Sequence, residues 1–291
     1  MNPLTFYIVD VFAQSKYAGN QLAVFRNAQG LSTEQMQQMA REMNFSESTF
    51  ILSDAERAGG YDVRIFTPVA EVPFAGHPTL GTSFVIREEI IGRPVPSLQL
   101  NLEVGPIPVT FSEDGMLWMK QNPPEFGATV DPAVIADILG LDTSDIDTRF
   151  PVQEVSTGLW FVIVPLKTLD AVKRAKTCKG KYFRQFGDGK QDGILVFCPE
   201  TYNQENDLNV RVFVPVYGIE EDPATGSGNG CLAGYLVEHR YFDADGIDLS
   251  VEQGYEIGRP SLIRHRAGRR EDAIDVNIGG SVVMVAQGQW L

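Results

Sequence analysis

The feature that most constrains this chain is an internal repeat, in which one strand–turn–helix pattern occurs twice. RIFTP at 64–68 is followed by EVPFAGHPTL at 71–80, and RVFVP at 211–215 is followed by EDPATGSGNG at 221–230. The arginine, phenylalanine and proline of the first motif recur, as do the glutamate, proline and glycine of the second. Repeated units of this kind indicate a duplicated architecture and have to be recognised before any fold is assigned.

The predicted elements around the two motifs also follow the same order. Alternating or apolar β-rich runs predict strands, and apolar residues at helical spacing predict helices. The first copy has expected strands 4–12, 21–26, 48–53 and 61–67 and helices 32–43 and 79–89. The second copy has expected strands 151–156, 159–165, 193–198 and 208–215 and helices 168–176 and 228–239. Ser32 and Gln35 form a capping-box pattern at the first of these helices.

The 291 residues are enough for two domains. We expect an N-terminal half at 1–120 and a C-terminal half at 128–291, with the last strand free to return to the first half. QNPPEFG at 121–127 is the expected linker. Asp131 and Gly140 predict the start and stop of a short helix that follows it. Two similar halves favour a ligand site in the cleft between them.

Composition excludes several classes of function. The net charge of −14 argues against nucleic acid or an anionic membrane as a partner. Three cysteines without a close pair indicate reduced thiols in a cytoplasmic protein. The sequence shows no signal-peptide pattern and no apolar run near ~18 residues, so no membrane segment is expected. Three scattered histidines argue against a zinc site, and we expect no metal.

A glycine opens the helix in each copy of the repeat, Gly76 in the first and Gly226 in the second. The first N–H groups of a helix lack internal partners and carry the positive end of its dipole. Two such helix starts predict an anion site for a substrate carboxylate or an enolate-like charge. The alternative is that both glycines serve only tight turns. GSGNGC at 226–231 does not fit the dinucleotide-binding spacing.

Glu47 is the best candidate for acid–base chemistry. It lies in NFSESTFIL at 44–52, between a predicted helix and a β-rich run. A carboxylate at the start of a buried strand is partly desolvated, which raises its pKa towards a useful range. The alternative is an exposed glutamate in a turn. Ser46, next to it, is placed to orient the carboxylate by a hydrogen bond.

The loops themselves carry three more candidates. His77 follows the first glycine, and although a lone histidine is more often structural, this position favours contact with a ligand. Asp222 either orders its loop or faces the cleft. Ser227 either caps its helix or touches the substrate through its hydroxyl.

Together these motifs resemble the PhzF-like (phenazine biosynthesis) isomerase family, which has the diaminopimelate-epimerase-like fold. The resemblance extends over nearly the whole chain. The segments that carry it are DVF at 10–12, AGNQLAVF at 18–25, NFSEST at 44–49, RIFTP at 64–68, EVPFAGHPT at 71–79, STG at 156–158 and EDPATGS at 221–227. It implies an α+β fold of two pseudo-symmetric halves, each a curved, barrel-like mixed β-sheet wrapped around a central helix.

The resemblance also implies a site. By its motifs, Glu47 removes and returns a proton, and the groups that complete the catalytic set are His77, Asp222 and Ser227. The implied substrate-binding residues are Ser46, Gly76, Gly226 and Asn20. Members of the family use no metal or organic cofactor, act as homodimers, and in the best-understood cases isomerise a dihydro-hydroxyanthranilate ring.

We therefore expect a cofactor-independent isomerase or epimerase that moves a proton on a small carboxylate-bearing substrate. One alternative is a binding protein that holds the carboxylate without chemistry. Another is a two-base epimerase in which Asp192, near the mirrored position of Glu47, is the second base. A two-thiol racemase is disfavoured, because Pro73 and Pro223 occupy the mirrored loop positions and Cys231 stands alone near the second helix start.

Overall fold

The computed structural model describes residues 3–187, 191–271 and 273–291. The chain forms two compact units. Unit 1 comprises 1–119 and 279–291, and unit 2 comprises 120–278. The C-terminal segment therefore belongs to the unit that contains the N-terminus.

The described residues contain strands and helices in an order that repeats. The strands are β1 (Leu4–Val11), β2 (Asn20–Phe25), β3 (Glu47–Ile51), β4 (Tyr61–Phe66), β5 (Glu71–Val72), β6 (Ser97–Leu102), β7 (Gly105–Phe111), β8 (Leu117–Lys120), β9 (Glu125–Thr129), β10 (Gln153–Ser156), β11 (Trp160–Pro165), β12 (Gln191–Cys198), β13 (Leu208–Val214), β14 (Ile219–Asp222), β15 (Gly246–Gln253), β16 (Ser261–Arg270), β17 (Ala273–Gly280) and β18 (Val282–Trp290). The α-helices are α1 (Thr33–Met43), α2 (Gly76–Val85), α3 (Pro132–Leu139), α4 (Leu169–Arg174), α5 (Lys179–Phe186) and α6 (Gly226–Glu238). Short 3₁₀ turns occupy Ala28–Gly30, Thr143–Asp145, Pro215–Tyr217 and Tyr255–Ile257.

Unit 1 is a mixed sheet around a central helix. Its neighbouring strands run β18–β1–β2–β3–β4–β6–β7–β8, with β2/β3 and β4/β6 parallel and the other pairs antiparallel. The short β5 folds back on β4. Helix α2 packs against β18, β1, β2, β3, β6 and β7. Eight of its ten residues are buried, as expected of a helix enclosed on every side.

Unit 2 repeats this arrangement. Its strands run β9–β10–β11–β12–β13–β15–β16, with β11/β12 and β13/β15 parallel and the other pairs antiparallel. Strand β14 folds back on β13, as β5 does on β4. Helix α6 packs against β10, β11, β15 and β16, and 11 of its 13 residues are buried. The two units confirm the predicted α+β fold of two similar halves.

The repeated sequence motif forms the same ion pair in both units. The Nη2 atom of Arg64 lies 2.6 Å from Oε2 of Glu71, and Nη2 of Arg211 lies 2.7 Å from Oε2 of Glu221. Each guanidinium also stacks on the phenylalanine two residues further along, at 5.1 and 4.9 Å from the ring centroid. The equivalence of the two motifs is thus structural, and it fixes which strand positions correspond between the units.

Local sequence signals determine several helix ends as predicted. Ser32 and Gln35 form the reciprocal capping box at α1. Asp131 accepts a hydrogen bond from the backbone at the start of α3, and Gly140 ends that helix in the left-handed conformation at φ 65°.

Other boundaries differ from prediction. The helix expected at 79–89 begins three residues earlier, at Gly76, because Pro78 in its first turn lacks only an N–H that would have no helical partner. After Val85 it continues as a π-helix over Ile86–Ile91. The helix expected at 228–239 likewise begins earlier, at Gly226. Part of the expected linker is strand β9, whose backbone pairs with β10.

Among the described residues, no helix has both the length and the apolar character needed to cross a membrane.

Candidate active site

Glu47 is the first residue of β3, at the end of the sheet where the parallel strand β2 also begins. Asn20, the first residue of β2, is buried at the same end of the sheet, and Ser46 is half-buried just before β3. Two residues beyond Glu47, the hydroxyl of Thr49 lies 2.8 Å from that of Thr82 in α2. Because residues two apart on a strand share a face, Glu47 faces the central helix.

His77 is the second residue of α2 and meets Glu47 there. Its Nε2 atom lies 3.5 Å from Oε2 of Glu47. Burial lowers the pKa of His77 to about 3, against the smaller opposing effect of a backbone hydrogen bond at Gln21. The ring is therefore neutral at pH 7. The Glu47 side chain keeps 19% of its surface exposed, so it contacts both this neutral imidazole and the solvent.

The start of α2 has few backbone donors. Ala75, at the cap position, offers no side-chain cap, and the N–H of Thr79 already bonds to the Ala75 carbonyl at 3.3 Å. Pro78 has no N–H. The amides of Gly76 and His77 are therefore the donors that this helix start can offer to an anion.

Unit 2 places Asp222 and Ser227 on either side of the start of α6. Asp222 ends β14 and is 8% exposed, and its carboxylate accepts a hydrogen bond from the hydroxyl of Thr225. Thr225 precedes α6 but does not cap it with its side chain, since the hydroxyl is turned to Asp222. Ser227, half-buried, is the second residue of α6 and matches His77 in α2.

The mirrored position of Glu47 is Gly193. In unit 1, Arg64 pairs with Phe50 of β3, which is three residues after Glu47. In unit 2, the equivalent Arg211 pairs with Val196 of β12, which is three residues after Gly193. A Cβ at Gly193 would lie 2.5 Å from the carbonyl oxygen of Phe213, so no side chain fits there. Asp192 is offset by one residue, and its carboxylate accepts the N–H of Trp160 at 2.7 Å. This half therefore has no acid at the position of Glu47.

Cys231 is not a candidate base. Its side chain is buried in α6, and burial raises the pKa of its thiol to about 12. The sulfur lies 3.5 Å from the carbonyl oxygen of Leu159, which fits a protonated, donating thiol. Within the described ranges, no group of three or more histidine, cysteine, aspartate and glutamate side chains is placed to hold a metal ion.

Three buried residues near the Asp222 loop escaped the sequence analysis. Gln253, Asn229 and His265 form hydrogen bonds that end on Asp222 and Thr225. Gln253 and His265 lie outside the repeated motifs, and Asn229 lies within the second copy, opposite Thr79 of the first. The signal that would have found all three is the mismatch in residue type between corresponding positions of the two units.

Comparisons with known proteins show which family the chain resembles. The family of phenazine biosynthesis-like proteins matches residues 9–288. The trans-2,3-dihydro-3-hydroxyanthranilate isomerase of Pseudomonas aeruginosa is 36% identical, over 95% of this chain and 96% of its own. A Mesorhizobium japonicum protein described as an uncharacterized isomerase is 35% identical, over 99% of both chains.

Solved structures show the same relationship. A Bacillus anthracis phenazine biosynthesis protein of the PhzF family superposes with a TM-score of 0.91 over 100% of both chains, at 28% identity. A probable proline racemase from Agrobacterium radiobacter has a TM-score of 0.62 over 99% of this chain and 93% of its own, at 10% identity, and shares the fold alone. The family match covers most of the chain. The two relatives named above are described as isomerases, and each matches this chain over almost its full length. The chain therefore belongs to the phenazine biosynthesis-like, or PhzF, family and is an isomerase.

Proposed function

We propose that this isomerase works without a cofactor and moves a proton on a small carboxylate-bearing substrate, with Glu47 as the general acid and base. The observation that carries the proposal is the pairing of Glu47 with His77. A half-buried carboxylate beside a buried, neutral imidazole suits proton transfer, because a cationic neighbour would weaken a carboxylate base and a neutral ring does not.

The reaction is a transfer of one proton in two steps. A substrate C–H bond, activated by a neighbouring carbonyl, imine or diene, gives its proton to a carboxylate oxygen of Glu47, and the bonding electrons delocalise into the substrate. The protonated Glu47 then returns the proton to another carbon, or to the same carbon from a new direction. Glu47 ends as it began, so the cycle needs no second reactant.

The substrate charge is held by backbone and side-chain groups in this proposal. The amides of Gly76 and His77 lie at a helix start without a side-chain cap, which supports a role in binding a carboxylate or a developing negative charge. Gly226 and Ser227 occupy the same positions in α6. Asp222, which ends β14 just before that helix, is proposed to contact and orient the substrate.

The proposed substrate class is a small cyclic carboxylate. The Pseudomonas aeruginosa relative is named for trans-2,3-dihydro-3-hydroxyanthranilate, so this compound is the first probe. Other cyclic and amino carboxylates extend the panel.

The test is solvent-deuterium incorporation into these compounds, followed by NMR. We expect the native enzyme to place deuterium at a carbon of the substrate, and Glu47→Gln to lower the rate by about 10²–10⁴-fold, the usual contribution of an acid–base group. Glu42→Gln, the same change at an exposed position of α1, is the matched control and should exchange at the native rate. Full activity of Glu47→Gln would refute the assignment of the base.

Two other functions have distinct outcomes in the same experiment. A binding protein would bind the probe, seen as shifts of its resonances, without exchange in the native protein. A two-base epimerase would lose exchange in Asp192→Asn as well as in Glu47→Gln. We expect Asp192→Asn to exchange normally, because its carboxylate is bonded to the Trp160 amide and Gly193 occupies the mirrored position.

A further inference from the structure

Buried polar side chains lie beneath the loop that carries Asp222. Gln253 ends β15, Asn229 lies in α6 and His265 lies in β16, and all three are 0% exposed. Polar side chains in such positions need hydrogen-bond partners to offset their desolvation. Their partners show what they hold in place.

Gln253 is the centre of this cluster. Its Nε2 donates to the carbonyl of Asp222 at 2.8 Å and to the hydroxyl of Thr225 at 3.0 Å. Its Oε1 accepts from the N–H of Thr225 at 3.2 Å and from Nδ2 of Asn229 at 2.8 Å. Both donor hydrogens and both acceptor positions of the amide are thereby used. Because the Thr225 hydroxyl accepts from Gln253, its own proton is directed to the Asp222 carboxylate.

Asn229 and His265 determine which way the Gln253 amide points. Nδ2 of Asn229 donates to the Thr225 carbonyl at 2.9 Å and to Gln253 Oε1 at 2.8 Å, two groups that can only accept. The other amide atom, Oδ1, must therefore accept from Nε2 of His265 at 2.8 Å. Burial lowers the pKa of His265 to about 3, so the ring carries one proton at neutral pH, on Nε2. The donor and the acceptor are then fixed for each hydrogen bond in the series that leads from His265 through Asn229 and Gln253 to Asp222.

The internal repeat shows that the fold does not need this cluster. The strand registers match Gln253 with Leu102 and His265 with Val109 in unit 1. Asn229 corresponds to Thr79, whose hydroxyl bonds to the carbonyl four residues back in the chain. Asp222 and Thr225 correspond to Val72 and Ala75 in the loop before α2. The same architecture therefore forms with apolar or small residues at these positions, and the polar set occurs in the half that carries Asp222.

We propose that Gln253, oriented by Asn229 and neutral His265, is a positioning residue that holds Asp222 and the first turn of α6 in place for the reaction. The proposal rests on the function proposed above for Asp222. Gln253 acts on both ends of the loop at once, through the main chain of Asp222 and through the N–H and hydroxyl of Thr225. Without it, the hydroxyl proton of Thr225 is no longer directed to the Asp222 carboxylate.

The first test replaces Gln253 by the residue found in unit 1. Gln253→Leu should lower kcat for the trans-2,3-dihydro-3-hydroxyanthranilate probe by roughly tenfold or more, because misplacement of a site by ~1 Å can cost ~10²-fold. Glu252→Gln is the matched control. Glu252 is the neighbouring residue of β15 and is also 0% exposed, but its carboxylate bonds to the turn around Tyr202 and Asn203. It should keep the native kcat in the folded protein.

The pH dependence of activity in Gln253→Glu distinguishes a positioning role from a merely structural one. The introduced carboxyl group keeps the acceptor positions and regains a donor only when protonated. Its activity relative to the native enzyme should therefore rise as the pH falls. A ratio independent of pH would count against positioning through these hydrogen bonds.

Nitrogen-15 NMR of the histidine rings adds a measurement that needs no substrate. His265 should remain neutral with its proton on Nε2 between pH 5 and 9, and a proton on Nδ1 would overturn the assigned directions. In the activity test, a native enzyme that neither turns over nor exchanges any compound of the panel would refute the proposed function, and this proposal with it. An active native enzyme with unchanged kcat in Gln253→Leu, or an equal loss in Glu252→Gln, would overturn the positioning role alone.

Discussion

The two repeated ion pairs should differ in their contribution to stability, because they differ in burial. In the Arg211–Glu221 pair the side chains are 10% and 6% exposed, whereas in the Arg64–Glu71 pair they are 27% and 29% exposed. Glu221→Gln leaves a charged guanidinium in a buried place, which typically costs about 3–5 kcal/mol. Glu71→Gln removes a partner from a guanidinium that water still reaches, for a cost of about 0–1 kcal/mol.

Other groups around Arg211 partly compensate its charge, so the cost of Glu221→Gln should lie at the lower end of the range for a broken buried ion pair. Its Nη1 also donates to the carbonyls of Val172 and Ala175 at 2.8 and 2.7 Å, and Glu256 approaches its Nε to 3.9 Å. We therefore expect Glu221→Gln to lower the free energy of unfolding by about 3 kcal/mol.

Urea unfolding with linear extrapolation measures both substitutions on the same scale. The two changes remove the same charge from equivalent positions, so each serves as the control for the other. Equal losses of unfolding free energy from Glu71→Gln and Glu221→Gln would refute the reasoning from burial.

Two further predictions follow from buried titratable groups. His77 and His265 have pKa values lowered to about 3 in the folded protein, against a usual value near 6.5, so the unfolded chain binds more protons between about pH 3 and pH 6.5. Stability should therefore fall as the pH falls, by about 1.4 kcal/mol per pH unit for each histidine, and His265→Gln should remove one histidine's share of that slope in urea titrations. Cys198 and Cys231 are buried with thiol pKa values raised to about 12, while Cys178 is exposed, so a thiol reagent should label Cys178 in the native protein and the other two only after unfolding.

The fold could be predicted from the sequence because its signals are local and occur twice. The capping residues of α1 and α3 act within one turn of the chain, and their positions were predicted to the residue. The repeated Arg–Glu pair is visible as a motif, since each partner stands within a short matching segment and the second copy only adds three residues between the two segments. Local signals failed where the outcome depended on packing. Glu125–Thr129 lacks a clear strand pattern and becomes β9 only through its pairing with β10.

The candidate site was predictable only in part. Glu47 and His77 stand in recognisable motifs, but their approach to 3.5 Å depends on the register of β3 against α2. Asp192 could be placed near the mirrored position of Glu47 only approximately, because its exact position also depends on strand register. Loops of different length obscured the one-residue offset, which the pairing of β12 with β13 resolves in favour of Gly193.

The duplicated fold separates architecture from function within one chain. Positions that hold the same residue type in both units, such as the arginines and glutamates of the ion pairs, are required by the shared packing. Positions that hold different residue types in the two units are free of that requirement. They include three pairs of counterparts: Glu47 and Gly193, His77 and Ser227, and Val72 and Asp222. Gln253 against Leu102 belongs to the second group. Because buried polar groups are costly to place in a core, a hydrogen-bonded polar cluster where the other unit uses apolar or small side chains is better explained by the reaction than by the fold.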